Sequence, residues 1–351
     1  MPQSDLTPFP QHRPHADQDP RILIVSCMKN EGPFILEWVA WHRAMGVSDF
    51  LIYTNDCDDG TDAIWTRLAA LGLAEHRQNT IMRRGVQKSA LYHARSEPVV
   101  AAADWHLVLD VDEFVNVTCG NGSFPALISA CPEATTFAMT WRVFGDGGNI
   151  SFRDGFVTEQ FARAAPRMMA RPPQAWGIKT LYRNDALYGR MGVHTPLDPV
   201  ADRRDEIVVV NGSGRVLDDS IKDGAWRSDR STVGYDLVQI NHYAVRSIES
   251  FLVKRDRGRV NHMDHDQGLA YWTMMSHNHE PDDSIMARLG PARAEFARLM
   301  QDAELRQLHA NAVQWHRDRI RALKARPDFA ELFNQLVTRV AERDAPMQEA
   351  S

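Results

Sequence analysis

The stretch His106-Leu107-Val108-Leu109-Asp110-Val111-Asp112-Glu113-Phe114 decides the fold, because an apolar, β-rich run ends there in a cluster of acids. The first four residues read as a buried strand. In an extended continuation residues i and i+2 point the same way, so Asp110 and Asp112 converge on one hard cation while Val111 anchors the other face. Such a pair suits Mg2+ or Mn2+ bridging a diphosphate; the competing reading is that the acids only cap the loop or solvate the strand end. Working outward towards the N-terminus, residues 21–28 form a short apolar strand that enters Lys29-Asn30-Glu31-Gly32-Pro33, a turn opening a helix. Ile35, Trp38, Val39 and Met45 recur at helical spacing, and Gly46 suits the helix end. Residues 50–53 are a second strand, followed by a polar loop and a helix lined by Ile64, Leu68 and Leu71 and closed by Gly72. Residues 73–77 make a third strand, and residues 88–103 are mostly helical with a break near Pro98. This alternation implies βαβ units, a mainly parallel sheet, and a ligand crevice at the carboxyl ends of the strands, where Asp110 and Asp112 fall.

Beyond residue 115 the alternation weakens into β-like pieces at 136–143, 179–182, 206–210 and 237–240. From Pro281 the pattern turns helical: Phe296, Leu299, Met300 and Ala303 share one face, as do Phe329, Leu332, Phe333, Leu336, Val337 and Val340. We divide the chain into a leader at 1–20, one half-domain at 21–115, a second half of the same domain at 116–260, and a loop with a helical C-terminal extension at 261–351.

Composition narrows the function. The chain has 351 residues, 44% hydrophobic and 25% charged, enough to bury a sizeable core and read as soluble and globular. Forty Lys and Arg against 46 Asp and Glu leave a net charge of -6, so no overall basic field is available for nucleic acid. No window approaches the roughly 18 to 20 uncharged residues of a spanning helix. The N-terminus lacks a basic region before an apolar core, so it reads as a disordered leader rather than a secretion signal. Cys27, Cys57, Cys119 and Cys131 form no Cys-x-x-Cys pair, which argues against a zinc ribbon or disulfide scaffold and for the cytoplasm. Arg317, Arg319, Arg321 and Arg326, interleaved with Trp315, Ile320 and Leu323, form a pattern suited to peripheral contact with an anionic membrane.

Taken in order, Lys29-Asn30-Glu31, then Asn55-Asp56-Cys57-Asp58-Asp59-Gly60-Thr61, then Gly85-Val86-Gln87 with Ala94, then Asp110-Val111-Asp112-Glu113-Phe114 resemble the nucleotide-sugar half of a GT-A glycosyltransferase of the family 2 type. The closest likeness is to the group that includes family 92-like and related bacterial enzymes. Trp141-Arg142-Val143-Phe144-Gly145 resembles that group's Trp-x-x-Phe-Gly element. Ile240-Asn241-His242-Tyr243, continuing through Ser247, Phe251, Lys254, Arg257 and Gly258, resembles its Asn-His-Tyr…Lys-x-x-Arg-Gly element. The resemblance spans residues 21–260.

The resemblance implies an α/β, Rossmann-like GT-A fold with a mixed central sheet. It also implies transfer of a sugar from a UDP- or GDP-linked donor to an acceptor hydroxyl, metal-dependent and inverting. The acceptor would be a polysaccharide, a lipopolysaccharide or a lipid-linked glycan. By the same resemblance Asp112 is the direct ligand of Mn2+ or Mg2+, Asp110 faces the ribose or the metal's water shell, and His242 completes the shell, with His194 competing for that place. Asn30, Asn55 and Asp59 are assigned to base and ribose, against a plain reading as turn residues, and Gln87 and Lys254 to the donor. Lys29, Arg84, Lys254, Arg257 and Arg259 are candidate cations for the phosphates or for an anionic acceptor. Inversion needs a carboxylate base; Asp146, Asp154 and Glu159 are in the right region, and no pattern selects among them. Two rival readings compete. One is a metal-dependent hydrolase built on His262, His265, His277 and His279; the other is an inactive nucleotide-sugar-binding module.

Overall fold

A computed structural model describes residues 19–169, 171–258 and 268–344. Most of the expected leader, together with Arg259, His262 and His265, lies outside the described residues. The alternation read from the sequence is present: β1 (Ile22–Met28), α1 (Gly32–Ala44), β2 (Asp49–Thr54), α2 (Thr61–Ala70), β3 (Glu75–Gln78), α3 (Val86–Ala94) and β4 (Trp105–Val108) follow one another. Pro33 lies in the first turn of α1, where its missing N–H costs nothing, and Gly46 just past its end takes φ +96°, a conformation that favours glycine. Pro98 breaks the helical run after α3 and opens a separate short helix, Pro98–Ala102.

The four strands lie parallel in the order β3-β2-β1-β4. The sheet then becomes mixed. Ile178–Arg183 runs antiparallel to both β4 and Thr136–Val143, Val238–His242 runs parallel to Thr136–Val143, and Glu113–Val117 closes the edge antiparallel to Val238–His242. With Val209–Asn211, nine strands form one sheet among the described residues. The α/β class with a mixed central sheet is therefore what the chain shows. Separate apolar clusters cover the two faces, one built on Trp38, Trp41 and Trp65 and the other on Leu23, Val25 and Leu91. Each fully buried large apolar side chain contributes about 1.5–3 kcal/mol.

Three expectations change. The fourth strand ends at Val108, and Val111 and Asp112 turn a corner closed by the Glu113 N–H donating to the Asp110 carbonyl at 3.0 Å. The acids are thus not alternate residues of one extended strand. Residues 201–206 form a helical turn, and the strand expected from 206 starts at Val209. The C-terminal helices are packed inward: Leu289–Leu299 lies on α1, and Ala303–Lys324 lies on α1, α2 and the helix Ile248–Arg257. Ile320 and Leu323 are buried, Trp315 packs against the core, and Arg319, Arg321 and Arg326 pair with Asp256, Asp318 and Asp328. The apolar side of the expected membrane-facing pattern is occupied by the protein itself. Among the described residues no helix is long and apolar enough to cross a membrane.

Candidate active site

The neighbours of β1 are β2, which follows it, and β4, which comes much later, so the crossovers leave β1 in opposite directions and open a crevice at the carboxyl ends of β1 and β4. A cleft of about 320 Å3 sits there, between Cys27-Met28-Lys29 after β1 and Asp110-Val111-Asp112 after β4. The turn at Asp110–Glu113 is held from below. The indole N–H groups of Trp38 and Trp41, one turn apart on α1, donate to the carbonyls of Glu113 (3.0 Å) and Val115 (2.8 Å).

Because the chain turns, the two aspartates face different partners. Asp110 Oδ1 accepts from Gln87 Nε2 (2.9 Å), and its Oδ2 accepts from Lys179 Nζ (3.0 Å). Asp112 Oδ2 accepts from Lys254 Nζ (2.6 Å), and its Oδ1 stands 3.7 Å from His242 Nε2. Burial alone would raise the Asp112 carboxyl, but Lys254, His242 and Arg246 together hold it well below the usual carboxylate range. Burial opposes the charge on Lys254 as well, and Asp112 together with Tyr271 and Glu31 more than restores it. Both groups are therefore ionised at neutral pH.

Strand pairing brings His242 here. It lies opposite Glu113 across the antiparallel ladder and beside Val143 on its other flank, with its ring 4.3 Å from that of Trp141. His194 also borders the cleft, 5.7 Å from Trp141, with Nδ1 held by the Ile178 carbonyl at 2.9 Å. Burial and then Lys179 lower its pKa to about 4, which keeps it neutral. Arg257 and Lys29 complete the cationic wall. Glu31, also in the cleft wall, is clamped by Arg246 (3.0 Å) and Arg257.

Lys179 was missed by sequence reasoning. It is 0% exposed and shares a strand face with the core residue Leu181, and among the described residues its ammonium meets Asp110, Glu113 (3.4 Å) and the Val193 carbonyl (3.1 Å). The signal was available: a lysine on the inward period of an apolar strand needs a buried acid.

Other expected residues lie elsewhere. Asp59 is a cap, accepting from the N–H groups of Gly32 (2.7 Å) and Thr61 (2.9 Å); Asn30 Oδ1 accepts from the Asp58 N–H (2.8 Å). These bonds tie the loops after β1 and β2 together, so the turn-residue reading describes them, and Asn55 likewise stands outside the cleft wall. Arg84 stacks over Tyr92 at 4.2 Å and borders a different groove. None of the three candidate bases borders the cleft: Asp146 is bound by Arg343, Asp154 faces His309 and Glu159 pairs with Arg293. His277 Nε2 is paired with the Met274 carbonyl (3.0 Å).

A divalent cation is implied by the GT-A resemblance. Asp112 Oδ1 and His242 Nε2 face one another and fit it as two ligands; each oxygen of Asp110 already accepts a hydrogen bond, from Gln87 or Lys179, which leaves it less available than Asp112. Among the described residues no group of three His, Cys, Asp or Glu side chains could hold a metal ion by itself. Small hard cations are commonly held by one or two side chains plus substrate phosphates and water, so a cation at this pair would require the diphosphate.

No family model matches the chain. Over 99 residues it is 27% identical to a glycosyltransferase family 92 protein of Ricinus communis, a match covering 28% of this chain and 17% of that relative's length. The chain is similar to a glycosyltransferase. This is the group whose motifs the sequence resembles. Similar solved structures include TarS of S. aureus in complex with UDP, with a TM-score of 0.31, 12% identity and 47% of each chain covered. Another is glucosyl-3-phosphoglycerate synthase from Mycobacterium tuberculosis with Mn2+, UDP and glucosyl-3-phosphoglycerate, with a TM-score of 0.28, 17% identity, and 58% of this chain and 77% of that one covered. Likenesses this distant add nothing to the sheet order and cleft described above.

Proposed function

We propose that the chain is a GT-A-type glycosyltransferase that binds a nucleotide-diphosphate sugar in the cleft between β1 and β4 and passes the sugar, with inversion, to a hydroxyl of an acceptor glycan. In this reading residues 21–115 hold the nucleotide and residues 116–260 the acceptor, with helix α3 of the first half forming the wall shared by the two. The observation that carries it is the meeting of Asp112, His242, Lys254 and Arg257, from three separated segments, at the carboxyl ends of β1 and β4.

Departure of a nucleoside diphosphate develops negative charge, and the site must meet it. Lys254 and Arg257 are ionised donors at the cleft wall, the first held in place by Asp112 and by the Ala244 carbonyl (2.6 Å). Asp112 and His242 are the residues that would hold Mn2+ or Mg2+, which when bound supplies further positive charge to the leaving group. Asp110, fixed by Gln87 and Lys179, is left to orient the donor. Trp141 offers an apolar wall, and closing such a site strengthens each of these charge interactions.

Isothermal titration of the intact chain and of Asp112→Ala with UDP and with GDP, each with and without Mn2+, tests the reading. It requires metal-enhanced binding of one nucleotide that disappears in the variant. A folded wild-type chain that binds neither nucleotide would refute it.

A further inference from the structure

A second, larger cavity of about 700 Å3 adjoins the cleft, and its wall is basic: Arg83, Arg84, Lys88, Arg95 and Arg190 line it, with no Asp or Glu among the described residues that line it. Such a concentration is notable in a chain whose net charge is -6. Of the five, Arg190 is paired with Asp198 at 2.6 Å, and Arg84 lies on the ring of Tyr92, itself 44% exposed. The volume is within the range of small-ligand sites.

The geometry couples this groove to the cleft in two ways. Helix α3 is the partition: Gln87 points to Asp110 on one side, while Lys88, Leu91, Tyr92 and Arg95, at i, i+3, i+4 and i+7, face the groove. Val193 borders both spaces, and its carbonyl accepts from Lys179 Nζ, the ammonium that also holds Asp110. A ligand in the groove is therefore beside the residues assigned to the donor.

We propose that this groove is the acceptor subsite and that the acceptor it takes is an anionic glycan, bearing phosphate or carboxylate groups, rather than a neutral one. Guanidinium groups recognise both oxyanions through paired N–H donors, and Tyr92 gives the sugar ring an apolar surface. The acceptor assignment rests on the transferase reading of the adjoining cleft; the anion preference rests on the groove alone.

The test titrates the intact chain and an Arg83→Gln/Lys88→Gln variant with three probes: hyaluronan hexasaccharide for carboxylate, glucose 6-phosphate for phosphate, and maltohexaose as the neutral control. UDP with Mn2+ is titrated in parallel. At least one anionic probe binds the wild type, weakens with added salt and binds the variant about tenfold less tightly, while maltohexaose does not bind and UDP affinity is unchanged. The tighter of the two anionic probes identifies the group recognised. The proposal is overturned if maltohexaose binds as well as the anionic probes, if no anionic probe binds, if the variant retains wild-type affinity, or if UDP displaces the anionic probe competitively. Failure of UDP to bind a protein whose groove still distinguishes the probes would refute the acceptor assignment through the donor reading and leave an anion site.

Discussion

Lys254 Nζ lies 2.6 Å from Asp112 Oδ2 and 2.6 Å from the Ala244 carbonyl, so one buried ammonium joins the turn after β4 to the segment before the helix Ile248–Arg257. Lys254→Met leaves the Asp112 carboxylate in a buried site without its main counter-charge. UDP affinity falls at least tenfold with or without Mn2+, whereas His242→Ala removes only the increment that Mn2+ adds. Titration of both variants decides this; equal losses in the two conditions for His242→Ala would separate that residue from the metal.

Lys179 carries two acids at once. Burial, Asp110 and Asp112 push the Glu113 carboxyl up, against the pull of Lys179. Removing the ammonium by Lys179→Met strands these acids and costs about 3–5 kcal/mol. Adding Glu113→Gln recovers part of the loss. Denaturant unfolding of the single and double variants measures both effects, and a stable Lys179→Met protein would show that Asp110 and Glu113 tolerate one another unaided.

Asp146, a base candidate from the sequence, is fully buried and accepts both Arg343 Nη1 (2.6 Å) and Nη2 (2.8 Å). On the proposed transferase reading, Asp146→Ala leaves kcat of the folded protein within about threefold of wild type and lowers stability by about 3 kcal/mol, because the C-terminal helix Pro327–Asp344 loses its tie to the sheet. Activity well below the folding midpoint and the Tm together test the assignment. Lost activity at unchanged Tm would restore Asp146 as a base.

Acid should unfold the chain early. Burial lowers His42, His106 and His316 from 6.5 to about 3, about 4 and about 3, so these imidazoles are neutral in the folded state. The unfolded chain takes up protons on them as pH falls through about 6.5 and the folded chain does not, so stability present above that pH is lost below it. Glu37 opposes this: burial raises it from 4.5 to about 7, so its contribution is present at low pH and lost as pH rises through 7. His194, lowered to about 4, adds a fourth imidazole and Glu113, raised to about 8, a second carboxyl; with four groups against two, stability falls by about 3 kcal/mol per pH unit near pH 5. A Tm that stays level between pH 6.5 and 5 would contradict this balance.

The sequence alone determined what is local. Period-3.6 and period-2 runs, Pro33, Gly46, Gly72 and Pro98 placed the helices and strands of the first half to within a few residues, because backbone sterics and one-sided burial act over a few residues. The ordered motifs marked Asp110, Asp112, His242 and Lys254, which do line one cleft. Other parts of the site depend on residues distant in sequence. Whether Asp110 and Asp112 share a partner depends on a turn set by Trp38 and Trp41 of α1 and on a strand, Val238–His242, that arrives more than a hundred residues later. Asp59 became a cap and Asp146 an anchor because the donors that reach them, Gly32 and Arg343, are far away in sequence. Only the folded chain chooses which of many similar carboxylates meets a ligand and which meets an arginine, since that choice is made by charges and hydrogen-bond donors brought together from separate elements in an interior where an unpaired charge is too costly to persist.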